Sequence, residues 1–144
     1  MSVVASSRYR EGVESKAPML PSTVCILVVE DHSDNRLLLT FLLRSEGYGV
    51  VAASSYAEAL SLVQDTAFDL YLLDHWLGDG NGQELREKLR ERHPTVPALF
   101  CTTMPYTSNH IEQLRQNGDD FVHKPSPSEK LVAAVANLLL ASKN

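Results

Sequence analysis

The stretch Val24-Cys25-Ile26-Leu27-Val28-Val29-Glu30-Asp31 is an unbroken apolar run that stops at two acids. A strand wetted on one face alternates apolar and polar side chains. A run that is apolar at every position instead suits a strand covered on both faces, as in a parallel sheet flanked by helices. The paired acids then mark the point where the strand emerges.

Working outward, four more short apolar runs follow: Val50 to Ala53, Leu70 to Leu73, Ala98 to Cys101, and Phe121-Val122. Amphipathic stretches separate them. Ser33 is expected to cap a helix whose apolar face is Leu37, Leu38, Phe41, Leu42 and Leu43, with Gly47 ending it. Ser55 and Glu58 have the spacing of a capping box ahead of Ala59, Leu60, Leu62 and Val63. Further helices are predicted from about Gln83 to Arg92, from Ser108 to Asn117 before Gly118, and from the capping box Ser126-Pro127-Ser128-Glu129 to about Ala141. Five strands alternating with five helices predict an α/β, doubly wound parallel sheet.

The 144 residues suffice for one compact domain, and 44 % apolar with 22 % charged residues is the balance of a globular chain. Residues 1–22 lack either periodicity and are expected to be a flexible leader, leaving 23–144 as the folded unit. A net charge of -5 with no basic cluster argues against direct nucleic-acid binding. No apolar run is long enough for a bilayer and no signal peptide is evident, so membrane insertion is not expected and the chain is assigned to the cytoplasm. Cys25 and Cys101 sit alone in separate runs and read as buried thiols, not as a bridge. The histidines at 32, 75, 93, 110 and 123 have no metal-ligand spacing and are expected in solvated or loop positions.

In such a sheet, ligands bind beyond the carboxyl ends of the strands. The first strand delivers Glu30 and Asp31 there, the third Asp74, the fourth Thr102 and the fifth Lys124. Three carboxylates in one cleft repel each other unless a divalent cation sits among them, and oxygen donors of this kind suit Mg2+. A phosphoryl group arriving on one carboxylate brings anionic oxygens that the metal, the Lys124 ammonium and the Thr102 hydroxyl can share.

These residues resemble the receiver domains of bacterial response regulators. The resemblance runs from about Cys25 to Leu140. It rests on Ile26-Leu27-Val28-Val29-Glu30-Asp31, Asp69-Leu70-Tyr71-Leu72-Leu73-Asp74, Thr102, and Phe121-Val122-His123-Lys124-Pro125. It implies a flavodoxin-like sheet of order 2-1-3-4-5 and Asp74 as phosphoacceptor, served by a sensor histidine kinase or histidine phosphotransfer protein. It further implies Mg2+ held by Glu30, Asp31, Asp74 and the backbone carbonyl of Trp76, with Thr102 and Lys124 contacting the phosphoryl group. The Lys124-Pro125 bond is expected to be cis. Thr102 and Phe121 are the implied switch, and the face of the fourth helix, fifth strand and fifth helix the implied output to a downstream protein. The domain is thus a switch first; its own phosphorylation and slow dephosphorylation are its only implied catalysis. A phosphorylation-linked homodimer is left open.

Several positions depart from the family pattern. Leu77-Gly78-Asp79-Gly80 replaces a Met-Pro pair after the acceptor, which predicts a looser loop. Trp76, Thr103 and Met104 are expected to modulate access to Asp74, with Trp76 and the bulk of Thr103 slowing loss of the phosphoryl group. The rival reading is a pseudo-receiver, a protein-contact module that works without phosphorylation. A flavin-binding electron carrier is disfavoured by the acidic loop Glu30-Asp31-His32-Ser33-Asp34.

Overall fold

The computed structural model describes residues 24–142, so the leader predicted over 1–22 lies outside the described residues. Five strands, β1 (Cys25–Val29), β2 (Gly49–Ala53), β3 (Leu70–Leu73), β4 (Ala98–Thr102) and β5 (Asp120–His123), alternate with five helices. These are α1 (Ser33–Ser45), α2 (Tyr56–Asp65), α3 (Gly82–Arg92), α4 (Ser108–Gln116) and α5 (Ser128–Ser142). The strands form one parallel sheet in the order β2-β1-β3-β4-β5. This is the expected doubly wound, flavodoxin-like architecture.

The apolar runs are buried on both faces because alternate side chains serve different layers. Leu27, Val29, Tyr71, Leu73, Ala98 and Phe100 pack with Ala59, Val63, Leu85, Leu89 and Leu114 of α2, α3 and α4. Ile26, Val28, Leu70, Leu72, Leu99 and Cys101 pack with Leu43 of α1 and Leu131, Val135, Leu138 and Leu139 of α5. Each such aliphatic side chain taken fully out of water contributes roughly 1.5–3 kcal/mol before ordering costs. Cys25 and Cys101 are both free and join opposite layers. Burial pushes the Cys101 thiol up to about 11, so it is an inert core group. Among the described residues no helix is long and apolar enough to cross a membrane.

Four local features differ from the sequence expectation. The buried side of α1 carries Thr40 and Leu43, with Leu39 and Leu42 packed alongside, whereas Leu37, Leu38 and Phe41 are 71 %, 63 % and 70 % exposed. The cap position of α1 is His32, not Ser33; its amide donates to the Glu30 carboxylate at 3.1 Å. Ahead of α5, the Ser126 hydroxyl donates back to the His123 carbonyl instead of capping the helix, which begins at Ser128. At α2 the Ser55 hydroxyl does accept from the Glu58 amide at 3.0 Å, but the Glu58 carboxylate reaches Ser54, accepting from its amide at 2.7 Å and its hydroxyl at 2.9 Å.

Candidate functional site

The sheet's hydrogen bonding continues one residue past β1, β3 and β5, and this fixes the residues that matter. The Glu30 amide donates to the Ala53 carbonyl at 3.1 Å, the Asp74 amide to Val29 at 3.3 Å, and the Lys124 amide to Thr102 at 2.9 Å. Glu30, Asp74, Thr102 and Lys124 therefore share one edge of the sheet, as predicted from the strand ends. The Lys124-Pro125 peptide bond is cis.

Lys124 Nζ donates to Glu30 Oε1 at 2.8 Å and to Asp74 Oδ2 at 3.1 Å, tying the ends of β1, β3 and β5 together. Burial alone pulls the Lys124 pKa down, but its bonds to Glu30 and Asp74 and the charges of both acids outweigh that, and the ammonium form is held more firmly than usual. The other Asp74 oxygen, Oδ1, accepts from the His75 amide at 2.6 Å, so both carboxylate oxygens are oriented. Glu30 is buried, Asp31 is exposed, and Asp74 is half-buried. Arg36 braces this turn by donating to the Glu30 carbonyl at 2.8 Å.

His32 belongs to the same cluster. Its Nδ1 lies 3.3 Å from both Glu30 Oε2 and Asp31 Oδ1, and donor atoms of Glu30, Asp31 and His32 fall within 4.8 Å of one another. The oxygens of Glu30 and Asp31, with Asp74 joined to Glu30 through Lys124, form a donor set that fits a hard divalent cation such as Mg2+. Gly78 borders this set: a Cβ there would stand 3.6 Å from Asp31 Oδ2.

The segment after Asp74 is not loose. Asp79 Oδ1 accepts from the Tyr56 amide at 2.9 Å and Oδ2 from the Ala57 amide at 3.1 Å, clamping the β3–α3 loop to the first turn of α2. Leu77 is buried and its amide donates to Gly80 at 3.0 Å, while Trp76 pairs with Asn81 and the Gly82 amide donates to His75 at 2.7 Å. Glycine content predicted mobility, but the same glycines permit the tight turn that these bonds close. Gly78 sits at φ +79°, where an L side chain would be strained.

Thr102 is buried, and its Oγ1 accepts from the Met104 amide at 3.1 Å. Thr103 is exposed and Met104 half-buried in the loop that follows. Trp76 is 59 % exposed, its ring edge-on to His75 with centroids 4.7 Å apart. Phe121 is half-buried beside Tyr106, centroids 4.8 Å apart. His75 lies in the β3–α3 loop, within the expectation for these histidines, yet it is buried, with Nδ1 hydrogen-bonded to the Tyr106 hydroxyl at 2.9 Å. Burial lowers its pKa against the opposing pull of Asp74. Its side chain therefore turns away from the cleft while Asp74 faces it. Asp79 and Tyr106 were not singled out in the sequence, because each acts through a partner brought close only by the fold, whereas His32, read as a solvated histidine, contacts acids one and two residues before it.

Residues 26–136 match the family described as the response regulator receiver domain. Among curated proteins, the chain is 31 % identical over 116 residues to the probable transcriptional regulatory protein TcrX of Mycobacterium tuberculosis, covering 81 % of this chain and 50 % of that one. It is 30 % identical over 121 residues to the transcriptional regulatory protein ZraR of Escherichia coli K12, covering 84 % and 27 %. The chain thus spans half or less of these relatives' lengths. Among solved structures, a CheY-like receiver domain protein of Methanospirillum hungatei superposes with TM-score 0.77 at 27 % identity, covering 85 % of this chain and 98 % of that one. The non-phosphorylated HemR receiver domain of Leptospira biflexa does so with TM-score 0.72 at 31 % identity, covering 81 % and 94 %. The chain belongs to the response regulator receiver domain family of two-component signalling.

Proposed function

We propose that this domain is a phosphorylation switch in which Asp74 accepts a phosphoryl group from a phosphohistidine of a sensor kinase or phosphotransfer protein. The observation that carries the reading is the position of Lys124, bonded at once to Glu30 and Asp74. That ammonium, together with the His75 amide on the other oxygen, holds the Asp74 carboxylate in one orientation. An Asp74 oxygen attacks phosphorus, the new P–O bond forms as the P–N bond breaks, and the electron pair leaves on the donor imidazole, which takes a proton from solvent. Glu30, Asp31, Asp74 and the Trp76 carbonyl would hold Mg2+, which when bound neutralises charge on the transferring group. Thr102 and Lys124 then contact the phosphoryl oxygens.

The exposed Leu37, Leu38 and Phe41 of α1 favour a resting place for the phosphodonor. Leu38 and Phe41 line a cavity of about 450 Å³ that also reaches Lys124, so an apolar donor surface seated there brings its phosphohistidine beside the acceptor. Output runs through Thr102, Phe121 and the α4–β5–α5 face to a downstream protein. Contact without phosphorylation has no observation in its favour, since the acids, Thr102 and Lys124 all gather at one sheet edge.

The test is incubation with acetyl phosphate and Mg2+, followed by a phosphate-affinity gel. Wild type should give one retarded band that is absent without Mg2+ and absent in Asp74→Asn. A band that persists in Asp74→Asn would contradict the assignment.

A further inference from the structure

The β4–α4 loop is held by two separate sets of bonds that meet at Tyr106, one reaching the residue after Asp74 and the other reaching Thr102. In one, the Tyr106 hydroxyl is hydrogen-bonded to Nδ1 of His75, the residue directly after Asp74, at 2.9 Å. In the other, Thr102 Oγ1 accepts from the Met104 amide at 3.1 Å, and the Met104 carbonyl accepts from the Tyr106 amide at 3.1 Å. The Tyr106 ring meanwhile packs between elements: 4.8 Å from Phe121, 4.2 Å from His110 of α4 and 6.2 Å from Phe100, centroid to centroid. His110 in turn contacts Gln83 of α3. The ring thus lies directly against Phe121.

We propose that Tyr106 is a positioning residue, a latch whose hydroxyl bond to His75 holds the β4–α4 loop with the Thr102 hydroxyl turned away from Asp74. To reach a phosphoryl group on Asp74, Thr102 must release the Met104 amide. The turn carrying Tyr106 then loses its support, and the ring must leave His75 and make room for Phe121. The latch opposes that sequence, so removing it raises the fraction of molecules ready for phosphorylation. A single neutral hydrogen bond of ordinary net strength corresponds to about a fivefold change in that fraction. The proposal rests on phosphorylation at Asp74.

The test compares initial rates of Mg2+-dependent phosphorylation by acetyl phosphate at a fixed donor concentration. Tyr106→Phe keeps the ring and removes the hydroxyl, and should phosphorylate about fivefold faster than wild type. Because that variant leaves a buried imidazole nitrogen without its partner, His75→Leu and the double variant His75→Leu with Tyr106→Phe are measured beside it. Each should be faster by a similar factor, and the double variant no faster than either single one, because both substitutions open the same latch. A purely structural role would leave these rates unchanged or lower them. Unchanged rates, slower rates, or independent additive effects would overturn the latch while leaving Asp74 chemistry intact. A wild-type protein that takes no phosphoryl group would instead overturn the reading beneath it, and the latch with it.

Discussion

Arg86 grips Asp119 at two points, Nε donating to Oδ2 and Nη2 to Oδ1, each at 2.9 Å, with side chains 3 % and 0 % exposed. The same carboxylate accepts from the Ala98 amide at 2.9 Å and from Arg90 at 3.2 Å, so one acid joins α3 to the starts of β4 and β5. Removing the Asp119 charge leaves the buried Arg86 guanidinium without its carboxylate, at a cost of about 3–5 kcal/mol. Asp119→Asn should therefore lower the chemical-denaturation stability by that amount. Arg86→Met should cost less than Asp119→Asn, because Asp119 keeps Arg90 and the Ala98 amide as partners.

Gly82 begins α3 directly against the acceptor's backbone. A Cβ at this position would stand 2.1 Å from the Asp74 carbonyl oxygen and 3.0 Å from its carbon, a contact that cannot be relieved by turning a side chain. Gly82→Ala should displace the end of β3, slow phosphorylation by acetyl phosphate at least about tenfold, and destabilise the fold by about 1–3 kcal/mol. Initial labelling rates and urea unfolding measure the two effects separately.

Lys124 stands where it neutralises two acids. In Lys124→Gln the Glu30 and Asp74 carboxylates face each other without the ammonium now 2.8 Å and 3.1 Å away. Mg2+ should then bind about tenfold more tightly, ~1.4 kcal/mol, between the about 1 kcal/mol that one charge contributes at ~4 Å in bulk water and the about 4 kcal/mol it contributes near a protein surface. Titration of the fluorescence of Trp76, the chain's single tryptophan, reads the affinity. Phosphorylation should nonetheless slow, because the ammonium that orients Asp74 is gone.

The start of α2 should be sensitive to acid. Glu58 has a lowered pKa, chiefly because the Ser54 amide donates to it, and Asp79 a lowered one, chiefly because the Tyr56 amide does. Both are acids depressed on folding, so their contribution is complete above their ordinary values of 4.5 and 3.8 and is lost as pH falls below them. The thermal midpoint should decline across that range, and Glu58→Gln with Asp79→Asn should flatten the decline. Circular dichroism melts between pH 6 and about pH 3 follow it.

The strands and their ends were legible because burial on both faces writes itself as a continuous apolar run, and because an acid, Thr or Lys at the strand end breaks it. The phase of α1 was not. Positions 37 to 43 are apolar everywhere except Thr40, so the pattern offers no unique face, and packing chose Leu39, Thr40, Leu42 and Leu43. Asp79 looked like one more polar loop residue, since nothing near it in sequence says that the amides of Tyr56 and Ala57, over twenty residues earlier, lie within reach. Tyr106 was hidden for the same reason, its hydroxyl meeting His75 only after β3 and β4 pair.

Asp74 is the residue that must carry the phosphoryl group. The full chain is incubated with Mg2+ and acetyl phosphate, reduced with borohydride, digested and sequenced by tandem mass spectrometry, since reduction of an aspartyl phosphate leaves homoserine at the modified position. Homoserine is expected at position 74 alone, and only when Mg2+ was present. Homoserine at another acid, or none at position 74 despite Mg2+ and donor, would contradict it.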